Sequence, residues 1–237
     1  MNISKAFSFP FEDKQWISKL GIGAIVGMVP ILNFAWNGYL VGIFRNVVNN
    51  EAEPLPNWDN FERKFMDGLI LFAAGLVYGL PILLVACLPL GIMGISGALS
   101  GSSNLQDVAE AVAGIGGVLG LCLGGLFILY GLFLSIVYPA ILVLFAREGT
   151  FASCFKFRQV IDLISKNAGS FFTAWGISLV AALVVGLASG VVTGLLGWIP
   201  CVGWVISLVV TLGSTVYGTA VYAHLFGQFG SIAVKQN

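Results

Sequence analysis

Charged side chains are scarce in this chain of 237 residues. They make up 9% of the sequence, whereas apolar residues make up 58%. A soluble domain carries roughly a quarter charged residues, so this chain has too few of them to cover a surface that faces water. The composition excludes an ordinary water-soluble globular protein and predicts an integral membrane protein whose main partner is the lipid bilayer.

The side chains that build metal sites and active sites are also nearly absent. The chain has one histidine, His224, and four cysteines whose spacing forms no CxxC pair and no zinc-type pattern. Asp, Glu, Lys and Arg are missing from the predicted spans, although coupled transporters and intramembrane hydrolases use such groups. The formal net charge of zero provides no basic field for nucleic acid. We therefore expect no catalytic residue, no cofactor, no metal and no nucleic-acid partner, and we expect His224 to play a structural role.

Uncharged stretches organise the rest of the chain. Each of them exceeds the roughly 20 apolar residues that a helix needs to span a bilayer. The last stretch is long enough for two spans, which we expect to be separated by a turn at residues 197–204, rich in glycine, proline and tryptophan. The stretches are residues 20–44, 68–106, 111–146 and 167–234.

The positions of lysine and arginine predict the topology. Basic residues precede and follow the first uncharged stretch, separate the third from the fourth, and occur in the tail. The connection after the second stretch carries only Asp107 and Glu110. The positive-inside rule then places both termini and residues 50–66 in the cytoplasm, with the protein in the cell membrane. Because both ends of the first stretch are basic, that stretch must enter the bilayer and return on the same side.

A repeated motif supports this return. Residues 27–34 and 197–204 share the pattern Gly-x-(Val/Ile)-Pro, followed four residues later by an aromatic residue. Pro30 and Asn33 in the first copy and Pro200 in the second are therefore candidate helix-break positions. We expect Asn33 or its neighbours to satisfy the broken backbone by hydrogen bonds. The alternative is one tilted helix that is kinked at Pro30.

These patterns predict an all-α fold, a polytopic membrane helix bundle of about six helices. Residues 1–237 would form a single integral membrane domain of three helical hairpins, with the first one short or re-entrant. A cytoplasmic amphipathic helix would lie along the membrane interface before the third hairpin. The predicted ranges are 14–49, 60–146 and 170–228 for the hairpins and 153–166 for the interfacial helix.

The N-terminal segment predicts the start of a helix at Pro10. Proline fits a first helical turn, and Glu12 and Asp13 fit the positive end of the helix dipole. Trp16 and Lys19 would then mark the level of the lipid headgroups.

Glycines repeat at every fourth position in two of the predicted spans. This spacing places small residues on one helix face and predicts close packing against another helix, which can belong to the same chain or to a partner. The two ladders are Gly116, Gly120 and Gly124, and Gly186, Gly190 and Gly194.

The segment before the second hairpin carries the motif Leu55-Pro56-Asn57-Trp58-Asp59. Its prolines favour an extended backbone, and Asp59 is suited to cap the helix that follows. Leu55, Pro56, Trp58 and Asp59 therefore form a candidate partner-docking or interfacial motif. The alternative is a linker that anchors Trp58 at the interface and starts the next helix.

Several short runs along the chain resemble the bacterial and archaeal membrane family known as domain of unknown function 4013. The resemblance is best over residues 14–81 and covers most of the chain. It implies a multi-helix protein of a prokaryotic cell membrane with no established activity, and it assigns no functional residue. The runs are Trp16-Ile17-Ser18-Lys19-Leu20, Val29-Pro30-Ile31-Leu32, Gly38-Tyr39, Arg45-Asn46-Val47, Leu55-Pro56-Asn57-Trp58-Asp59, Gly68 and Tyr78-Gly79-Leu80-Pro81.

The sequence thus favours a protein that is not an enzyme. We expect an accessory, scaffold or membrane-organising protein that acts through helix packing and through lipid, a membrane-protein partner or a second copy of the chain. The first alternative is a channel or facilitator for a small neutral or apolar solute. An intramembrane enzyme ranks third, because the predicted spans hold no Asp, Glu, Lys or Arg.

Overall fold

The computed structural model describes residues 1–101 and 103–235, and within these residues it contains helices and no strand. The predicted all-α fold is confirmed, and the helices match the three hairpins and the amphipathic helix, with one further helix at the N-terminus. The α-helices are α1 (Ile3–Glu12), α2 (Trp16–Met28), α3 (Asn33–Val48), α4 (Phe61–Leu99), α5 (Gln106–Glu148), α6 (Phe157–Lys166), α7 (Ala168–Leu196) and α8 (Val202–Lys235), and short 3-10 turns occupy Ser103–Leu105 and Phe151–Phe155.

In the part of the chain that the structure describes, four helices are long and apolar enough to cross a membrane, namely α4, α5, α7 and most of α8. Their side chains are largely exposed, because an apolar surface that faces lipid needs no cover from protein. Helix α2 is also apolar but has only 13 residues. At a rise of about 1.5 Å per residue it is about 20 Å long, which is less than the roughly 30 Å of a hydrocarbon core.

The chain divides into two compact units. The base unit consists of Met1–Phe72 and Val137–Asn237, and the apolar hairpin unit consists of Ala73–Ile136. In the apolar hairpin unit α4 and α5 run antiparallel. The hydroxyl of Tyr130 donates to the carbonyl of Tyr78 at 2.8 Å, and the hydroxyl of Ser96 donates to that of Ala109 at 2.7 Å. This unit contains no lysine or arginine.

Helix α3 is the centre of the base unit. Its buried positions lie on all sides of the helix, so α3 is enclosed by other helices. Phe44 packs against Tyr222 of α8, and Val47 lies directly against Gly227 of the same helix. The core also contains the C-terminal part of α5, where residues 140–146 are buried in succession.

The first uncharged stretch is a hairpin, as predicted, and the alternative of one kinked helix is wrong. Helix α2 ends at Met28 and α3 begins at Asn33. The two arms pack side by side, with Gly23 of α2 against the ring of Trp36. The first residue after each turn proline has a positive φ, 74° at Ile31 and 62° at Cys201. The repeated motif therefore forms the same kind of turn twice.

Main-chain hydrogen bonds close both turns. The amide of Asn33 donates to the carbonyl of Val29, and the amide of Gly203 donates to that of Ile199, each at 3.1 Å. The side chain of Asn33 is exposed and makes no hydrogen bond among the described residues. The predicted satisfaction of the broken backbone is thus provided by the main chain and not by the asparagine side chain.

Two predicted helix boundaries are wrong. Pro10 lies in the last turn of α1 and does not start a helix. This helix starts after Asn2, whose side chain accepts from the amide of Lys5 at 3.0 Å. The predicted helix at 153–166 starts only at Phe157, because a 3-10 turn closed by the hydrogen bond from the Ser153 amide to Thr150 precedes it.

Candidate functional site

The motif that follows the first hairpin folds back onto it as a strap, which we define as residues 53–60. The ammonium of Lys19 donates to the carbonyl of Leu55 at 3.0 Å, and the indole of Trp58 donates to the carbonyl of Lys19 at 2.8 Å. The amide side chain of Asn46 donates to the carbonyl of Pro54 at 3.1 Å. The strap therefore joins the two open ends of the α2–α3 hairpin.

This arrangement determines what the predicted docking motif offers to a partner. Leu55 is 2% exposed and Pro56 lies against Gly42, so both are used inside the chain. Trp58 is half-buried, and Asn57 and Asp59 are exposed. With Leu55 buried, docking of a partner stays a prediction for the exposed part of the motif. The alternative of a linker that starts the next helix fits these contacts better. That alternative places Trp58 at the membrane interface, whereas its indole bonds to Lys19 and stacks on Tyr39 of the hairpin.

A buried ion pair lies under the strap. The ammonium of Lys19 and the carboxylate of Asp13 are 2.7 Å apart, and both side chains are less than a tenth exposed. The carboxylate also accepts from the amide of Gln15 at 2.7 Å. Burial alone would raise the pKa of Asp13, but the hydrogen bonds from Lys19 and Gln15 outweigh it and hold that pKa below its usual value.

Three aromatic rings stack beside this ion pair. The ring of Tyr39 lies between those of Trp36 and Trp58, with centroid distances of 5.2 and 4.7 Å and interplanar angles of 15°. Tyr39 is fully buried, and its hydroxyl has no hydrogen-bond partner in the described part of the chain. The stack fixes the strap against α3 through ring contacts that also bury a large apolar area.

Helices α3 and α4 cross with their backbones in contact. A Cβ atom at Gly38 would overlap the carbonyl of Lys64, and one at Gly68 would overlap the carbonyl of Phe34. Only glycine allows such an approach from both sides. The glycine ladders did not predict this crossing. The signal for it was a single glycine in each helix, both in the runs that resemble the family.

Arg45 connects three helices at the same end of the base unit. Its guanidinium lies 2.5 Å from the carboxylate of Asp67 in α4, and its Nε donates to the carbonyl of Ala146 in α5 at 2.9 Å. In the sequence Arg45 follows the first uncharged stretch and belongs to one of the runs that resemble the family. Its closeness to Asp67 could not be predicted without the pairing of α3 with α4.

His224 packs between α8 and α1. Its ring stacks on Phe9 with a centroid distance of 4.3 Å, and its Nδ1 lies 3.1 Å from the side-chain amide of Gln228. Gln228 in turn donates to the carbonyl of Asn2 at 2.8 Å. His224 is 2% exposed and no carboxylate of the described residues forms an ion pair with its ring, so this histidine holds α1 against α8.

The predicted glycine ladders differ in their surroundings. A Cβ at Gly116 would meet Ile92 at 3.0 Å, and one at Gly120 would meet Pro89 at 3.9 Å, but Gly124 faces open space. No atom of the described chain lies within 4 Å of a Cβ at Gly186, Gly190 or Gly194. The packing predicted for this second ladder has no partner among the described residues and stays a prediction about an external one.

The turn positions also lie apart from the strap. Pro30, Asn33 and Pro200 are exposed, and Ile31 beside Pro30 is 66% exposed.

The contacts around the strap form a clamp. Hydrogen bonds, an ion pair and stacked rings hold one short hairpin, and residues 1–101 and 103–235 contain no group of three metal-binding side chains.

Residues 22–197 match the model of the family described as Protein of unknown function (DUF4013). The chain belongs to this family. The resemblance noted in the sequence is thereby confirmed, and the match includes the turn of the first hairpin with α3, the strap and the crossing of α3 with α4. No curated protein and no solved structure matches the chain.

Proposed function

We propose that this member of the family is a non-enzymatic membrane-organising protein that fills one leaflet of the bilayer more than the other. The observation that carries the proposal is the short α2–α3 hairpin with an exposed apolar tip. Ile25 is 68% exposed and Ile31 is 66% exposed, although the inner side of the hairpin is tightly clamped. Such a surface is suited to lipid tails, and arms of about 20 Å end before the far leaflet.

The base unit supplies the asymmetry that this function requires. Helices α1, α2, α3 and α6 gather around the end of the base unit that holds the start of α7 and the end of α8. The other end of the α7–α8 hairpin is only the turn at Pro200. Helices that occupy one leaflet displace lipid there alone, which favours curvature or altered packing of that leaflet.

The orientation follows from charge. All 11 lysine and arginine residues lie in the base unit, and the turn of α7–α8 is uncharged. The positive-inside rule supports placing the clamped end and both termini in the cytoplasm. Single-cysteine variants Asn50→Cys and Ser100→Cys in a cysteine-free background test this assignment. Labelling of both from the same side would contradict it.

Reconstitution into vesicles tests the proposed function. The wild-type protein should reduce the diameter of vesicles or form tubules at a protein-to-lipid ratio at which the Met28→Gln/Ile31→Gln variant does not. The matched control is Trp198→Gln/Val202→Gln, which alters equally exposed residues at the second turn. Equal remodelling by all three proteins, measured by cryo-electron microscopy, would contradict a role for the first hairpin.

A second candidate function is a facilitator for a small neutral solute. It is favoured by a groove of about 340 Å³ between α7 and α8 that is lined by glycine and hydroxyl side chains, including Ser189, Thr211 and Thr215. The hydroxyl of Ser189 bonds to Gly186 and that of Thr215 bonds to Thr211, each within its own helix. Faster re-swelling of vesicles after transfer into hypertonic glycerol or urea, abolished by Gly186→Leu, would support this function over the first.

A further inference from the structure

Three arginines from three helices surround one cavity in the base unit. The cavity has a volume of about 400 Å³ and is lined by Arg45, Arg63 and Arg147 together with Val48, Asn49 and Ala146. Arg45 belongs to α3, Arg63 to α4 and Arg147 to α5. The proposed organising function does not use this cavity.

The positive charge of the cavity is only partly balanced within the chain. Arg45 is paired with Asp67, but its Nη2 makes no hydrogen bond among the described residues. The side chains of Arg63 and Arg147 are exposed and form no ion pair or hydrogen bond with any other described residue. The nearest acid along the chain from Arg147 is Glu148, which is engaged by Lys156 at 2.7 Å. Two guanidinium charges therefore remain around the cavity.

Helix dipoles explain some of these arginines but not all of them. Arg45 and Arg147 lie in the last turns of α3 and α5, where a cation is favourable. Arg63 is the third residue of α4, next to the positive end of that helix, where a cation is unfavourable. An anion in the cavity would offset the charges of Arg63 and Arg147 as well as this end of α4.

We propose that the cavity binds a phosphate group. Guanidinium groups match phosphate oxygens through paired N–H donors, and three of them from separate helices can surround one tetrahedral anion. The ends of two membrane-crossing helices line the cavity, which is the level at which the phosphates of lipid headgroups lie. Either an anionic lipid or phosphate in solution can supply this group, and experiment separates the two.

The test measures the melting temperature of the protein in phosphatidylcholine nanodiscs under two additions. One arm includes phosphatidylglycerol in the nanodiscs, and the other adds inorganic phosphate to the buffer. The variant Arg63→Gln/Arg147→Gln removes the two unpaired charges and leaves Arg45 in the core. The control Lys14→Gln/Arg158→Gln removes two exposed charges that do not line the cavity.

For a lipid site, phosphatidylglycerol should raise the melting temperature of the wild type and the control by several degrees. The cavity variant should lose most of this rise, because only the guanidinium of Arg45 is left to donate charge-assisted hydrogen bonds to the phosphate. Stabilisation by inorganic phosphate, lost in the cavity variant alone, would support the same site with a soluble ligand. An equal response of both variants, or no response of the wild type in either arm, would overturn the proposal.

Discussion

The two copies of the repeated motif form the same turn in very different surroundings. In both, the residue after the turn proline has a positive φ. A main-chain hydrogen bond closes each turn, from the amide of Asn33 to the carbonyl of Val29 and from the amide of Gly203 to the carbonyl of Ile199. The first turn joins helices of 13 and 16 residues, and the second joins helices of 29 and 34 residues. Local sequence therefore specifies the conformation of the turn, and the length of the two helices that it joins specifies its distance from the other end of the hairpin.

The arms of the two hairpins are also stabilised in different ways. Helix α3 is enclosed, and its Gly38 touches the backbone of α4, whereas Gly186, Gly190 and Gly194 of α7 face open space. A long apolar helix is stable in lipid by itself, because all of its backbone groups are bonded within the helix. A short hairpin exposes an irregular tip, so it needs the strap, the buried ion pair and the aromatic stack to hold it.

The largest expected effect comes from breaking the buried pair at the first hairpin. Asp13→Ala leaves the ammonium of Lys19 buried without its carboxylate, which costs roughly 3–5 kcal/mol of unfolding free energy. Thermal unfolding in mild detergent measures this loss. The double variant Asp13→Asn/Lys19→Met removes both charges and should regain most of the stability. A loss below about 1 kcal/mol for Asp13→Ala would show that the pair does not hold the hairpin.

A pair of glycine substitutions compares the two hairpins directly. Gly38→Ala forces α3 away from α4 and should destabilise the protein by about 1–3 kcal/mol. Gly190→Ala meets no atom and removes backbone freedom from a helix, so it should stabilise the isolated protein by up to about 1 kcal/mol. The measurement is the melting temperature of the two variants beside that of the wild type. Equal losses for both would contradict the difference between the arms.

Substitutions at the turns should have smaller and equal effects. Ile31 and Cys201 adopt a positive φ that a side chain disfavours by roughly 1–2 kcal/mol and that glycine adopts without cost. Ile31→Gly and Cys201→Gly should each raise the unfolding free energy by about 1 kcal/mol. A gain at one turn alone would show that the two turns differ in strain despite their matching geometry.

The smallest effect on the melting temperature is expected from a change of pH that stays above the range in which Asp13 titrates. Because the folded pKa of Asp13 lies below its ordinary value of 3.8, its pair with Lys19 contributes fully above that value and is lost as pH falls through the folded pKa. The melting temperature should change little through Asp13 between about pH 5 and pH 8. Below pH 3.8 the wild type should lose its advantage over Asp13→Asn. A difference between the two proteins that is independent of pH would exclude this linkage.

Much of the fold could be predicted from the sequence, because membrane spans and turns leave local signals. The uncharged stretches located the long helices, and the match between residues 27–34 and 197–204 predicted the first hairpin. Helix α1 was missed because its amphipathic face is short and its start depends on the cap at Asn2. The boundary of α6 was misplaced since the periodic pattern continued through a 3-10 turn.

The clamp could not be predicted, because it depends on distant pairings. From the sequence alone, Leu55 is expected to be an exposed linker residue. It is buried because the strap folds onto Lys19, which lies 36 residues earlier in the chain. Asp67 and Arg45 look like separate flanking charges until α3 crosses α4. The glycine ladders gave a strong local signal, yet the closest backbone contact uses Gly38 and Gly68, which lie in no ladder. Small residues mark faces that allow close packing, and tertiary structure decides which of these faces are used.

The depth of the two turns in a bilayer tests the account most directly. Spin labels at Ile31→Cys and Val202→Cys, with the native cysteines replaced by alanine, report depth through their relative access to oxygen and to a water-soluble nickel complex. We predict that the label at position 31 lies within the hydrocarbon, since α2 is about 20 Å long and the core about 30 Å thick. The label at position 202 should lie at the headgroups of the far leaflet. Equal access of both labels to the nickel complex, applied from the side opposite the termini, would contradict a hairpin that is confined to one leaflet.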